Sequence, residues 1–284
     1  MPKSMSENDI FRIKFWGVRG SVPCPGPSTV RYGGNTTCME INCGERRIII
    51  DAGTGIREMG INLIKQGGKV EADLLFTHTH LDHVNGFPFF GPFYNPNNKF
   101  RLYAGHLEEP NNIENVLKNM IITEPMFPVP ASVILGSCEF VDYNPNDTLD
   151  LGDGITVQTA PLNHPNGACG YRVEYMGHVI AIVTDTEHYD ELDKNVLKLA
   201  KDADVMVYDS AYTDEEYPKF KGWGHSTWQE ALKVAEAANV KKTVLFHHDP
   251  SHDDNRMDEI AEVAAAERFG TEPAREGMVI KVNL

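Results

Sequence analysis

The sequence predicts a layered α/β sandwich, and three observations predict it. Short apolar runs bounded by Gly, Pro, Asn and Asp recur along the chain; five longer stretches carry helical periodicity; and strands crowd the first third before helices and strands alternate. With 284 residues and 41% hydrophobic content the chain can bury a sizeable core. No linker divides it, so one domain over 1–284 is expected.

Residues 11–16 (FRIKFW), 37–43 (TCMEINC) and 46–51 (RRIIID) read as strands separated by turn residues. Further strands are expected at 72–77, 100–104, 132–141, 155–160, 169–175, 178–183, 204–209 and 242–246, several of them β-branched. Helical patterns fall at about 55–66, 112–121, 190–201, 227–238 and 254–268. The stretch from about 84 to 130 is the least regular. Rich in Pro, Asn and aromatics, it reads as an inserted cap, since a linker would be more polar.

The net charge of −15 argues against a broad basic face for nucleic acid or anionic membrane, so a polyanionic partner has to be small or met locally by metal ions. The five cysteines are odd in number and form no CxxC pair, which suggests neither a disulfide framework nor a zinc knuckle. That cysteine usage fits a reducing cytoplasm, and the N-terminal "MPKSMSENDI" lacks a basic region followed by an apolar core, with no run of about 18 apolar residues, so neither a signal peptide nor a transmembrane span is expected.

The densest chemistry lies in "LLFTHTHLDHVNG", which places His78, His80, Asp82 and His83 directly behind an apolar run. Imidazole and carboxylate are the usual ligands of zinc-like divalent ions. A chance HxHxDH in a chain of this histidine content has a probability on the order of one in a thousand. A loop supplies only part of a metal site, and the remaining candidates also follow apolar strands: His164 in "TAPLNHPNG", Asp185 in "IAIVTDTEH", and His247 and His248 in "TVLFHHDP".

This order of motifs resembles the metallo-β-lactamase superfamily, from "IIIDAGTG" at 48–55 through "LFHHDP". The resemblance implies a four-layer αββα sandwich. It implies that His78, His80 and His164 hold one metal, that Asp82, His83 and His247 hold the second, and that Asp185 bridges them. His247 is preferred to His248 because the phosphodiesterase branch, including ribonuclease Z, has a His three residues before a Pro, here Pro250. Asp51 matches a family aspartate that supports the site from behind its ligands; a turn-capping Asp is the alternative. Zinc leads as the metal, with manganese or iron as alternatives.

True β-lactamases are typically exported and often carry Cys where this chain has Asp185. The stretch "GWGHSTWQEALKVAEAANVKKTVLFHHDP" instead resembles the phosphodiesterase branch, whose GHST-like motif supplies an extra histidine beside the leaving group, here His225. Thr227 with Glu230 predicts a capping box, which puts an anion-favouring helix N-terminus next to His225. The opening "FWGVRGSVPCPGPSTVRYGGNTTCMEI" is similar to a bacterial GVRGS-type subgroup of that branch. Arg19, Arg31 and Asn35 are its candidates for phosphate contact, against structural roles. His188 and His252 are weaker candidates for touching substrate.

A pair of ions about 3.5–4 Å apart lowers the pKa of a shared water to near neutrality and supplies it as a bridging hydroxide. Asp82 would help orient that water and His225 would donate to the leaving oxygen. Ribonuclease Z inserts a long arm that grips tRNA between the residues matching His164 and Asp185, where this chain has only 20 residues. The expectation is therefore a small phosphodiester or nucleotide such as a cyclic nucleotide. The aromatics Phe87, Phe89, Phe90, Phe93 and Tyr94 read as a local core or dimer contact in preference to a wall on which a base stacks. Homodimers are common in the resembling family. The alternatives are a lactonase or thioesterase, a ribonuclease Z-like nuclease, and a non-catalytic metal- or nucleotide-binding sensor.

Overall fold

The computed structural model describes residues 10–282; most of the N-terminal stretch considered above for a leader lies outside them. Two seven-stranded sheets pack face to face. The first holds β1 (Phe11–Gly17), β2 (Cys38–Cys43), β3 (Arg46–Ile50), β4 (Glu71–Phe76), β5 (Lys99–Ala104), β6 (Cys138–Asp142) and, last in the chain, β14 (Val279–Val282), in the order β14-β1-β2-β3-β4-β5-β6. The second holds β7 (Thr148–Gly152), β8 (Ile155–Leu162), β9 (Ala168–Tyr175), β10 (His178–Val183), β11 (Val205–Asp209), β12 (Lys242–Phe246) and β13 (Thr271–Pro273), in the order β13-β12-β11-β10-β9-β8-β7. Each sheet starts as antiparallel pairs and ends in three parallel ones, β3 to β6 and β10 to β13.

Alternation along β1 buries Phe11, Ile13 and Phe15 in a core shared with Val157, Val173, Val207 and Phe246 of the facing sheet. Outside the first sheet, Ile56, Met59 and Leu63 of α1 (Gly55–Gln66) pack on Ile49, Leu74 and Phe76. The short helices α2 (Leu81–Val84), α3 (Ile113–Val116) and α4 (Ala131–Leu135) follow in the chain. Outside the second sheet, α5 (Lys194–Ala200), α6 (Trp228–Ala237) and α7 (Asp254–Glu267) cover Ala181, Met206 and Leu245. The result is the four-layer αββα sandwich. No helix of the described residues is long and apolar enough to cross a membrane.

Three departures from the sequence reading have physical causes. The strand expected over 132–141 begins as α4, because Pro130 sits at its N-cap and only Ile134 of the turn is buried, a one-faced pattern. The edge strands β7, β13 and β14 escaped notice because they are short and owe their state to a paired neighbour. The stretch 84–130 does not form a separable cap: β5 within it pairs with β4 and β6, and Phe87, Phe90 and Phe93 are buried with Phe100 against the sheet. Phe89 and Tyr94 remain exposed. Phe93→Ala should accordingly cost about 3–5 kcal/mol of stability in urea unfolding. A loss under about 1 kcal/mol would mean that the segment detaches as a cap.

Candidate metal centre and active site

The site forms where strands β4, β8, β10, β11 and β12 run out at one edge of the sandwich, the place where open α/β sheets present loops to ligands. β4 ends at Phe76, and Thr77 turns the chain by donating its N–H (2.7 Å) and its hydroxyl (2.8 Å) to the Asp51 carboxylate. Asp51 also takes His83 Nδ1 at 2.9 Å. It thus stands behind the histidine loop and aims His83 Nε2 inward, the way an outer carboxylate orients a ligating imidazole.

The other histidines of the loop are handled alike. His78 Nδ1 lies 3.2 Å from Thr77 Oγ1, His80 Nε2 lies 3.3 Å from Asn166 Oδ1, and His164 Nδ1 reaches the Gly224 carbonyl at 2.8 Å. Each ring commits one nitrogen to an acceptor and keeps the other for the cluster. His80 Nδ1 and His164 Nε2 then face each other at 3.0 Å.

Asp185 is the hub. Thr184 Oγ1 donates to its Oδ1 at 2.8 Å. Its Oδ2 lies 3.1 Å from His247 Nε2, 3.3 Å from His83 Nε2, 3.8 Å from His78 Nε2 and 4.0 Å from His164 Nε2. Asp82 Oδ2 lies 3.3 Å from His247 Nε2 and 3.4 Å from His83 Nε2, and accepts the Ser21 N–H at 2.7 Å. Among the described residues the donor atoms gather in His78 with His80 and His164, and in Asp82 with His83, Asp185 and His247, each within 4.8 Å; two further sets on the same criterion, His164 with Asp185 and His225, and Asp209 with His225 and His247, bring His225 to their edge.

Burial opposes charge throughout this cluster, yet His247, His83 and His78 outweigh it and hold Asp185 well below the usual carboxylate range. For His83, Asp185, Asp82 and Asp51 likewise overcome burial and hold the imidazole well above its usual value, whereas burial and the neighbouring His83 push His78 well below. Buried carboxylates in this number call for positive charge. The Nε2 atoms of His78 and His83 are buried without a hydrogen-bond partner. Orphaned imidazole nitrogens beside anionic oxygens fit two divalent cations, which supply that charge and leave the rings neutral.

The GVRGS loop is built against this cluster. A Cβ on Gly20 would fall 2.2 Å from His247 Cε1, so only glycine lets the backbone lie on that imidazole while Ser21 N–H reaches Asp82. Gly20→Ala should displace His247 and weaken metal binding about tenfold to a hundredfold. Metal retention during dialysis against graded chelator would show it, and a wild-type retention curve would refute it.

The two adjacent histidines part ways. His247 enters the cluster; His248 donates from Nε2 to the Ala274 carbonyl at 2.8 Å, and burial pushes its pKa down to about 3. His225 Nδ1 lies 2.9 Å from Asp209 Oδ2, and its ring sits 4.6 Å from that of His247 and 5.2 Å from that of His164. His225 Nδ1 also lies 3.9 Å from Asp185 Oδ2. Its shorter hydrogen bond is to Asp209, which fixes the ring at the rim of the cluster. Thr227 caps α6 by accepting the Glu230 N–H at 3.1 Å, and the Glu230 carboxylate pairs with Lys233 at 2.9 Å.

The weaker substrate candidates have other duties. Arg19 is fully buried, and its guanidinium donates to the carbonyls of Gly33, Asp249 and His252 at 2.8, 3.1 and 2.6 Å. Arg31 pairs with Asp258 at the surface, and Asn35 donates to Glu276 at 3.1 Å. His252 bonds to Glu216 at 3.0 Å, and His188 to Ser226 Oγ at 2.8 Å with its ring on Tyr217. All five brace loops around the site.

Asp209 went unnoticed in the sequence although it closes the apolar strand β11, as the candidate ligands follow theirs. It is fully buried and also accepts the Thr186 and Ala211 N–H groups, each at 3.1 Å.

A family model for the β-lactamase superfamily domain matches residues 46–248. The chain belongs to the metallo-β-lactamase superfamily. Ribonuclease Z of Clostridium novyi (strain NT) is 22% identical over 286 residues, covering 83% of this chain and 88% of that one. Among solved structures, the metallo-β-lactamase fold protein YhfI of Bacillus subtilis superposes with a TM-score of 0.73 at 15% identity, over 96% of this chain and 100% of its own. A diphosphatase of the PhnP family gives 0.72 at 18% identity, over 96% and 98%. As a member of this superfamily the protein is a metal-dependent hydrolase, and its His/Asp cluster is of the dinuclear type.

Proposed function

We propose that this hydrolase is a phosphodiesterase acting on a small phosphodiester such as a cyclic nucleotide. The observation that carries the reading is His225, held by Asp209 beside the two donor groups with Nε2 unengaged. In that role His78, His80 and His164 would hold one divalent ion and Asp82, His83 and His247 the other, with Asp185 shared between the two sets. Five imidazoles and two carboxylates without a thiolate suit zinc first, then manganese or iron. When bound, such ions activate water and neutralise charge developing on phosphoryl oxygens.

The chain's own residues do the rest. Asp51 and the Gly224 carbonyl fix which nitrogens of His83 and His164 face inward. Asp82 is placed to orient the attacking water. His225 donates its Nε2 proton to the leaving oxygen while the Asp209 carboxylate stabilises the ring's charge. The relatives named ribonuclease Z and diphosphatase both cleave bonds at phosphorus, which supports the reaction class.

Support for a small substrate comes from the segment between His164 and Asp185. It is the hairpin β9–β10, closed tightly at Met176 and Gly177, both at positive φ, with no room for a gripping arm. A flat substrate group has a surface near His225: the ring of Tyr212 stacks at 4.6 Å on Phe220, which meets the 65%-exposed Trp223 edge-on at 5.5 Å. This ledge, not the buried Phe87–Phe93 cluster, is the stacking candidate.

The deciding experiment offers the purified protein with Mn or Zn bis(p-nitrophenyl) phosphate, then a cyclic-nucleotide panel, a 3′-extended tRNA, a lactone and a thioester. Turnover of the phosphodiester and a cyclic nucleotide is expected. Turnover of the tRNA alone would move the substrate to RNA, as the ribonuclease Z relatives suggest. Cleavage confined to the lactone or thioester would overturn phosphoryl chemistry.

A further inference from the structure

Three loops of the site converge on a side chain to which the chemistry above gives no part. Glu187 lies two residues beyond Asp185 and is 9% exposed. Its carboxylate accepts the Gly222 N–H at 2.8 and 2.9 Å, the Gly224 N–H at 2.9 Å and the Tyr217 hydroxyl at 3.0 Å. Its main chain is tied to the loop before His164: Glu187 N–H donates to the Asn163 carbonyl at 2.8 Å, and Asn163 Nδ2 donates back to the Glu187 carbonyl at 2.9 Å.

We infer that Glu187 is a positioning residue that sets His225 in place relative to Asp185. Segment 217–225 has one short 3-10 turn, Tyr217–Lys219, and then passes through Gly222 and Gly224 at φ of +91° and +90°, so its own geometry does not define where it lies. Neither glycine amide has another acceptor among the described residues, and both point at one carboxylate. His225 is the next residue, and the Gly224 carbonyl orients His164. A Cβ at Gly224 would lie 2.4 Å from His164 Nδ1, so the loop rests directly on that ring.

Glu187 forms no ion pair with a cation among the described residues, and three N–H or O–H donors occupy its oxygens. That excludes a surface salt bridge and a metal ligand as its role. The whole "TDTEH" run is engaged with the same centre: Thr184 and Asp185 in the cluster, Thr186 N–H on Asp209, Glu187 on the His225 loop, His188 on Ser226.

The test rests on the phosphodiesterase reading for its kinetic arm and is independent of it for the other. Glu187→Gln keeps size and one acceptor but turns an amide N–H toward a glycine N–H. If His225 protonates the leaving group, its misplacement hurts poor leaving groups most. Glu187→Gln is expected to lower kcat on methyl phenyl phosphate about tenfold or more and on methyl p-nitrophenyl phosphate less than about threefold, as His225→Ala should. The double variant should fall within about threefold of His225→Ala alone, with metal content unchanged in all three.

Equal losses on both esters, or multiplying losses in the double variant, would overturn the inference. Amide hydrogen exchange at Gly222 and Gly224 should speed up in Glu187→Gln; unchanged exchange would also overturn it. If the wild type cleaves neither ester, the phosphodiesterase reading falls, and the exchange arm still decides whether Glu187 holds the loop.

Discussion

Asp185→Asn is expected to reduce phosphodiester turnover by at least about a thousandfold and to lower bound metal below two ions per chain. A single oxygen of Asp185 lies within 3.1–4.0 Å of imidazole nitrogens from both donor groups. Asparagine is the cleaner substitution than alanine, because Asp185 sits at φ +62° and asparagine tolerates the left-handed region better than other non-glycine residues. It also keeps the Thr184 contact while removing the charge. Metal analysis by atomic spectroscopy beside steady-state kinetics reads both effects; two ions per chain with wild-type turnover would exclude a bridge at Asp185.

His225→Ala should lower turnover of phosphodiesters with poor leaving groups, such as methyl phenyl phosphate or a cyclic nucleotide, by about one to three orders of magnitude and leave metal content unchanged. The ring's hydrogen bond is to Asp209, and His225 is not one of the seven residues assigned above to the two ions, so on that assignment its loss removes a proton donor without removing a ligand. Asp209→Asn should move activity in the same direction by a smaller factor, since it removes only the charge that steadies the ring. Metal lost together with activity in His225→Ala would reassign His225 to the coordinating set. Full activity on phosphodiesters would mean that the leaving oxygen is protonated elsewhere.

Between them these variants separate holding the metals from using them. The loop that carries His225 is anchored at Glu187, and the loop that presses on His247 passes through Gly20, so each function has its own support in the fold.

What the sequence by itself determined was what local pattern encodes. Alternation in FRIKFW and the apolar runs ending at Phe76, Val183 and Phe246 specified strands, because side-chain period and strand length are local properties. The HTHLDH loop and the strand-end His and Asp residues marked where ligand-type atoms leave those strands. Only the tertiary structure decided which of them meet. His247 and His248 are neighbours in the chain, yet the left-handed φ of His247, +62°, turns one ring into the cluster and lets the other bond Ala274.

Arg19 in a glycine-flanked motif left a phosphate contact and a structural role both open, and burial against three carbonyls makes it a brace. The aromatics at 87–93 carry no mark of which side faces the sheet; packing put three of them in the core. Asp209 and Glu187 were invisible for the same reason. Their partners, His225 and Gly224, lie 16 and 37 residues away along the chain, and a hydrogen bond across such a separation exists only once the loops at the ends of β10 and β11 have been brought together.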